Sequence, residues 1–144
     1  MERLKIDPRI ADLNELVAVG TRFHGHLGPY LVAGIRMGLL ALELLGSDGY
    51  FGIVAESETG SATPLSCLTD GIQLGSGCTT GKGNLRVLDE KTACARFFLD
   101  DGRAATIALR PEIDAAIRDG DLGVQSERMK RLRVEELFTW TLQP

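Results

Sequence analysis

The sequence predicts an α+β domain: helices packed on a mixed, mostly antiparallel sheet of four strands. Three observations carry this. Apolar residues recur at near-helical spacing from Ile10 to Leu45. Between Leu85 and Leu109, short alternating segments follow one another, separated by turn residues. The element order, α-α-β-α-β-β-β-α, groups strand beside strand instead of alternating strands with helices. A single domain spanning residues 1–144 is expected, long enough to bury a core.

Pro8 opens the first helical stretch, and Ile10, Leu13, Leu16, Val17 and Phe23 follow. Gly25 and Gly28-Pro29 interrupt it. Pro29 suits the first turn of a second helix over Tyr30–Leu45, apolar almost all round, with Arg36 and Glu43 as its polar stripe. Such a helix is buried centrally or at a subunit contact. Gly34 and Gly38 share one face of it and allow another backbone to approach. Gly46 is its C-cap. Phe51–Glu58 reads as a strand, Thr59–Pro64 as a loop, and Ser66 as the cap of a short helix through Cys67, Asp70 and Gln73. A glycine-rich loop covers Gly75–Gly83. Leu85–Leu88, Ala93–Leu99 and Ala104–Leu109 read as strands, with turns at Asp89-Glu90 and Asp100-Asp101-Gly102. Pro111 starts a short helix, and Ser126 caps a last one with Met129, Leu132 and Leu137 facing in.

With 16 Lys and Arg against 20 Asp and Glu, the net charge is −4, so no basic field invites nucleic acid. The weakly charged stretch Leu27–Leu45 is too interrupted for a membrane span, and Met1–Pro8 lacks a hydrophobic signal core. Three cysteines do not make a disulfide framework. A reducing cytoplasm is expected.

The chemistry-bearing residues are few. The two histidines, His24 and His26, are the only ones in the chain and sit in a Gly-flanked segment. Residues two apart share a face only in an extended or looped backbone. Cys67 and Cys78 follow downstream, and imidazole with thiolate is a ligand set suited to zinc or another divalent transition metal. Cys67, near a helix N-terminus, would have its thiolate favoured by the helix dipole and would share a face with Asp70. Cys94 lies in an alternating strand and reads as core. The Gly75–Asn84 loop fails the phosphate-loop pattern: Ser76 replaces a required glycine and Gly83 follows Lys82. Its backbone N–H groups with Lys82 could still hold a small anionic ligand. Glu56 and Glu58 read as a solvated strand face.

Phe-His-Gly-His-Leu-Gly-Pro (23–29), Gly34-Ile-Arg-Met-Gly38, Ser-Cys-Leu-Thr-Asp-Gly-Ile-Gln (66–73) and Gly-Cys-Thr-Thr-Gly-Lys-Gly-Asn-Leu (77–85) resemble the FmdE family of formylmethanofuran dehydrogenase, from about residue 10 to about 110. The resemblance implies an α+β fold with a mixed four-stranded sheet, related in outline to the catalytic domain of glyceraldehyde-3-phosphate dehydrogenase. It implies a homodimer and association with a molybdenum or tungsten oxidoreductase of methanogenesis. It also implies that His24, His26 and Cys67 converge with Cys78 at a metal or active-site cleft. Two departures stand out. Gly28 occupies the position where the family usually carries cysteine, and the chain ends at Pro144 without the paired-cysteine zinc ribbon of many members.

The leading expectation is a small dimeric zinc-binding protein, with His24, His26 and Cys67 as ligands. Cys78 would be a fourth ligand or a reactive thiol, and Lys82 an anion anchor. The rivals are a metal-free thiol enzyme using Cys67 or Cys78 with a histidine base, and a structural or assembly subunit with a degenerate site.

Overall fold

The computed structural model describes residues 2–144. Helix α1 (Leu13–His24) starts later than Pro8 because Asp12 caps it, accepting a hydrogen bond from the Glu15 N–H at 3.2 Å. Residues 8–10 form a separate turn. Helix α2 (Pro29–Leu45) has Pro29 in its first turn and Gly46 as a left-handed C-cap. Thirteen of its seventeen residues are buried, which makes it the central rod of the fold. Strand β1 (Ile53–Ser57) leads to helix α3 (Cys67–Ser76), and strand β2 (Leu85–Val87) follows. Strands β3 (Cys94–Leu99) and β4 (Ala104–Leu109) precede helices α4 (Pro111–Asp119), α5 (Leu122–Arg131) and α6 (Val134–Leu137). The chain closes on strand β5 (Phe138–Gln143).

Helices α2 and α3 pack backbone against backbone. A Cβ on Gly34 would lie 2.1 Å from the Leu68 carbonyl oxygen, and one on Gly71 would lie 2.1 Å from that of Leu31. One on Gly38 would lie 2.7 Å from the Ser76 nitrogen, and one on Gly75 2.1 Å from the Ile35 oxygen. Gly34 and Gly38 thus interlock with Gly71 and Gly75, so the expected approach at Gly34 and Gly38 has a named partner.

The sheet runs β2-β1-β3-β4-β5. Only β1 and β2 are parallel, joined through α3 as a crossover; the other pairings are antiparallel. Ile53, Ala55, Ala95, Phe97, Ala105 and Ile107 are buried in the core that contains α2 and α3. Glu56, Arg86 and Arg96 sit in register on more open ground, where Arg86 pairs with Glu56 at 3.0 Å.

The sheet has five strands, not the expected four. Phe138-Thr-Trp-Thr-Leu-Gln pairs with β4 from Leu109↔Phe138 to Ala104↔Gln143. Its alternation of apolar and polar residues was a readable strand signal. The last long helix starts at Leu122 because Asp121, not Ser126, caps it, accepting from the Val124 N–H at 2.9 Å. Ser126 lies inside the helix and donates back to the Leu122 carbonyl at 2.7 Å. Arg36 leaves the apolar surface of α2 to donate to the carbonyls of Met129 (3.0 Å) and Leu132, which fixes the end of α5 against α2. Among the described residues no helix is long and apolar enough to cross a membrane.

Candidate metal centre

His24 is the last residue of α1. Gly25 follows in the left-handed region at φ 104°, its N–H donating to the Thr21 carbonyl at 2.8 Å. This αL cap reverses the chain and brings the His26 ring back to 4.7 Å from the His24 ring, tilted by 46°. Glycine takes that φ without a Cβ penalty. Helix α2 begins three residues beyond His26, so both imidazoles sit where α1 turns into the central rod. Cys67 arrives at the first residue of α3, at the carboxyl end of the β1–β2 parallel pair.

One ligand atom from each of His24, His26 and Cys67 lies within 4.8 Å of the others. The ring nitrogens are already sorted. His24 Nδ1 is 2.6 Å from Asp70 Oδ2, and His26 Nδ1 is 3.1 Å from the Leu27 carbonyl. Both Nδ1 atoms therefore donate, and in the neutral ring, the form that binds a metal, this leaves the lone pair on Nε2. His24 Nε2 is buried and has no hydrogen-bond partner among the described residues. A buried imidazole nitrogen without a partner costs free energy unless something else satisfies it. A carboxylate that orients a histidine through its other nitrogen is a recurrent support for metal ligation. This donor set fits a zinc-like ion.

The support extends further along α3. Gln73 Nε2 donates to Asp70 Oδ1 at 3.3 Å, and the Thr80 N–H donates to Gln73 Oε1 at 3.2 Å. His24 is thereby linked through Asp70 and Gln73 to the glycine-rich loop. Gln73 is a site residue that spacing alone did not single out.

Cys78 is not brought to this group. Its side chain is fully buried and its thiol donates to the Ile53 carbonyl at 3.6 Å. Lys82 does not reach the group either: its ammonium donates to the Gly77 carbonyl at 2.7 Å and to Thr79 Oγ1 at 3.0 Å, and so braces its own loop. The loop amides are also engaged internally. The N–H of Cys78 donates to Ser76 Oγ, that of Thr79 to Asn84 Oδ1, and that of Lys82 to Thr79 Oγ1. Asn84 closes the loop further by donating to the carbonyls of Tyr50 and Ile53. The N–H groups of Cys78, Thr79 and Lys82, among those expected to cradle an anion, are spent within the loop.

The electrostatics of Cys67 run against the helix-dipole expectation. Burial, and then the Asp70 carboxylate, push its thiol pKa up. A free thiolate nucleophile is disfavoured, whereas a cation would reverse that balance.

Two clefts meet at the ligand group. One, of about 490 Å³, is lined by all three ligands and by Tyr30 and Arg118. The other, of about 390 Å³, reaches His24 and Cys67 from the side of Asp70 and Gln73. Tyr30 donates to Asp114 Oδ1 at 2.5 Å. Burial, and then this bond, push its phenol up from 10.0 to about 12. A raised pKa stabilises the fold fully below the unfolded value, so this contribution is lost as the pH climbs from 10 through about 12. Absorbance titration is expected to show a phenol ionising near pH 12 that disappears in Tyr30→Phe. An unchanged titration curve in that variant would contradict the assignment.

Fold and site together define an α+β protein with a His-His-Cys group that could hold a metal ion. Residues 23–143 match the family described as FmdE, molybdenum formylmethanofuran dehydrogenase operon, and the chain belongs to that family. It is 37% identical over 78 residues to a probable S-adenosyl-L-methionine-binding protein from Archaeoglobus fulgidus; the match covers 54% of this chain and 21% of that protein. The chain thus spans about a fifth of that relative's length. Its fold is similar to that of a tungsten formylmethanofuran dehydrogenase FmdE-like protein from Syntrophus aciditrophicus, with a TM-score of 0.66 and 20% identity over 98% of this chain and 77% of the other.

Proposed function

We propose that this protein is a metal-binding member of the FmdE family, accessory to a formylmethanofuran dehydrogenase-type oxidoreductase. His24, His26 and Cys67 hold a zinc-like ion, and the homodimer implied by the sequence resemblance belongs to this reading. The observation that supports it most is the buried, unpartnered His24 Nε2, whose ring is held on its far side by Asp70. Three protein donors leave a coordination position free, the pattern of catalytic zinc sites. When bound, the ion would supply Lewis acidity to a group entering the cleft. The protein's part is to fix the imidazole orientations through Asp70 and the Leu27 carbonyl, and to keep Cys67 out of bulk water.

Reconstitution with cobalt(II) tests this. The expected result is about one ion per chain, with a thiolate-to-cobalt charge-transfer band that Cys67→Ser removes. Protein that stays folded yet takes up neither zinc nor cobalt would refute the reading.

The A. fulgidus relative's name favours a second reading, in which the same cleft takes S-adenosylmethionine. Equilibrium dialysis separates the two: uptake of S-adenosylmethionine that survives a chelator and Cys67→Ser favours the second.

A further inference from the structure

We infer that the larger cleft takes a small organic acid, its carboxylate held by Arg118 while its body lies toward the ligand group; this rests on the metal reading above. The cleft holds about 490 Å³ and is walled by Pro29, Tyr30, Pro64, Ile117 and Leu122. Its polar features are His24, His26 and Cys67 at one place and Thr63 and Arg118 elsewhere. Apolar walls with a few convergent polar groups define a site for a small organic molecule.

Charge selects the class. Arg118 is the only permanently charged side chain among the residues lining this cleft. Two neutral imidazoles and one thiolate around a divalent ion leave a net positive centre, so both charged features favour an anion. The smaller cleft, on the other side of His24 and Cys67, is lined by the Asp70 carboxylate and repels one. The protein as a whole is acidic, at −4, which makes this local positive region selective.

Arg118 is also held in place. Its Nη2 is 3.0 Å from Asp114 Oδ2, one turn earlier on α4, and its Nε is 3.5 Å from Tyr30 Oη. Tyr30 in turn donates to the other oxygen of Asp114. This triangle fixes the guanidinium while its side chain remains 55% exposed. The contacts that hold it use Nη2 and Nε, and a guanidinium, with five N–H donors in a planar fork, suits a carboxylate. Asp114 and Asp119 offset part of the positive charge, and neither is among the residues lining the cleft. Sequence reading placed the anion anchor at Lys82; the cation that faces the cleft is Arg118.

The test uses cobalt(II)-loaded protein with benzoate and its neutral isostere benzamide as probes, read by the visible d–d bands and by calorimetry. Benzoate is expected to perturb the bands saturably and to bind about tenfold tighter than benzamide. Arg118→Gln is expected to erase that ratio with cobalt content unchanged, and Arg118→Lys to recover part of it. Equal affinity for the two probes, or a benzoate affinity indifferent to Arg118→Gln, overturns the inference and leaves the metal centre standing. Failure of the parent protein to take up cobalt overturns the metal reading, and this inference with it.

Discussion

Gly71→Ala is expected to destabilise the protein by about 3 kcal/mol or more, the upper end of overpacking costs. By propensity alone the change would help, since alanine is favoured over glycine in a helix interior by ~1 kcal/mol. Geometry decides the sign. The new methyl would sit 2.1 Å from the Leu31 carbonyl oxygen and 2.7 Å from the Ile35 nitrogen, both backbone atoms of a buried helix. Neither can swing aside as a side-chain tip could, so α2 and α3 must separate. Thermal unfolding should shift down by roughly 10 °C for a chain of this size. Gly81→Ala, where the added Cβ meets nothing within 4 Å, is the control and should stay within about 0.5 kcal/mol of the parent. A Gly71→Ala protein as stable as the parent would refute the packing account. Separation would also move Cys67 and Asp70, which ride on α3, away from His24 on α1.

His24→Ala is expected to weaken zinc binding by roughly a hundredfold to a thousandfold, about one ligand's share of the ~10–16 kcal/mol typical of structural zinc sites. Asp70→Asn keeps the volume but removes the charged acceptor of His24 Nδ1, so a smaller loss of roughly 10–100-fold is expected. Cys78→Ser should leave the affinity unchanged, because its thiol is committed to the Ile53 carbonyl. Competition with a chromophoric chelator ranks all three. Loss of binding in Cys78→Ser equal to that in His24→Ala would mean that the ligand set has been misassigned.

Much of the fold was legible because local signals agreed with tertiary context. Pro29 and Gly46 bracket α2, and burial follows from its apolar surface. The strand pair around Asp100-Asp101-Gly102 needed only alternation and a turn. The last strand was missed because Val134–Leu137 does form a helical turn, which hid the change of period at Phe138. At the site, His24, His26 and Cys67 could be selected by residue type, since the chain holds so few histidines and cysteines. Cys78 could not be told from Cys67 that way. What separates them is where each thiol points, and that depends on how β1 meets the loop after α3. Arg118 and Tyr30 were invisible for a similar reason: arginine and tyrosine carry no motif there, and they reach the cleft only because α4 folds back over the start of α2.

The central rod has one more effect. It begins beside the imidazoles, α3 is fastened along it without intervening side chains, and Arg36 ties the end of α5 to it. The cleft walls are tied to this same stiff strut, Cys67 through α3 and Arg118 through the Tyr30–Asp114 contact. A guest must match a mould already cast, so affinity will follow shape and charge instead of a closing motion.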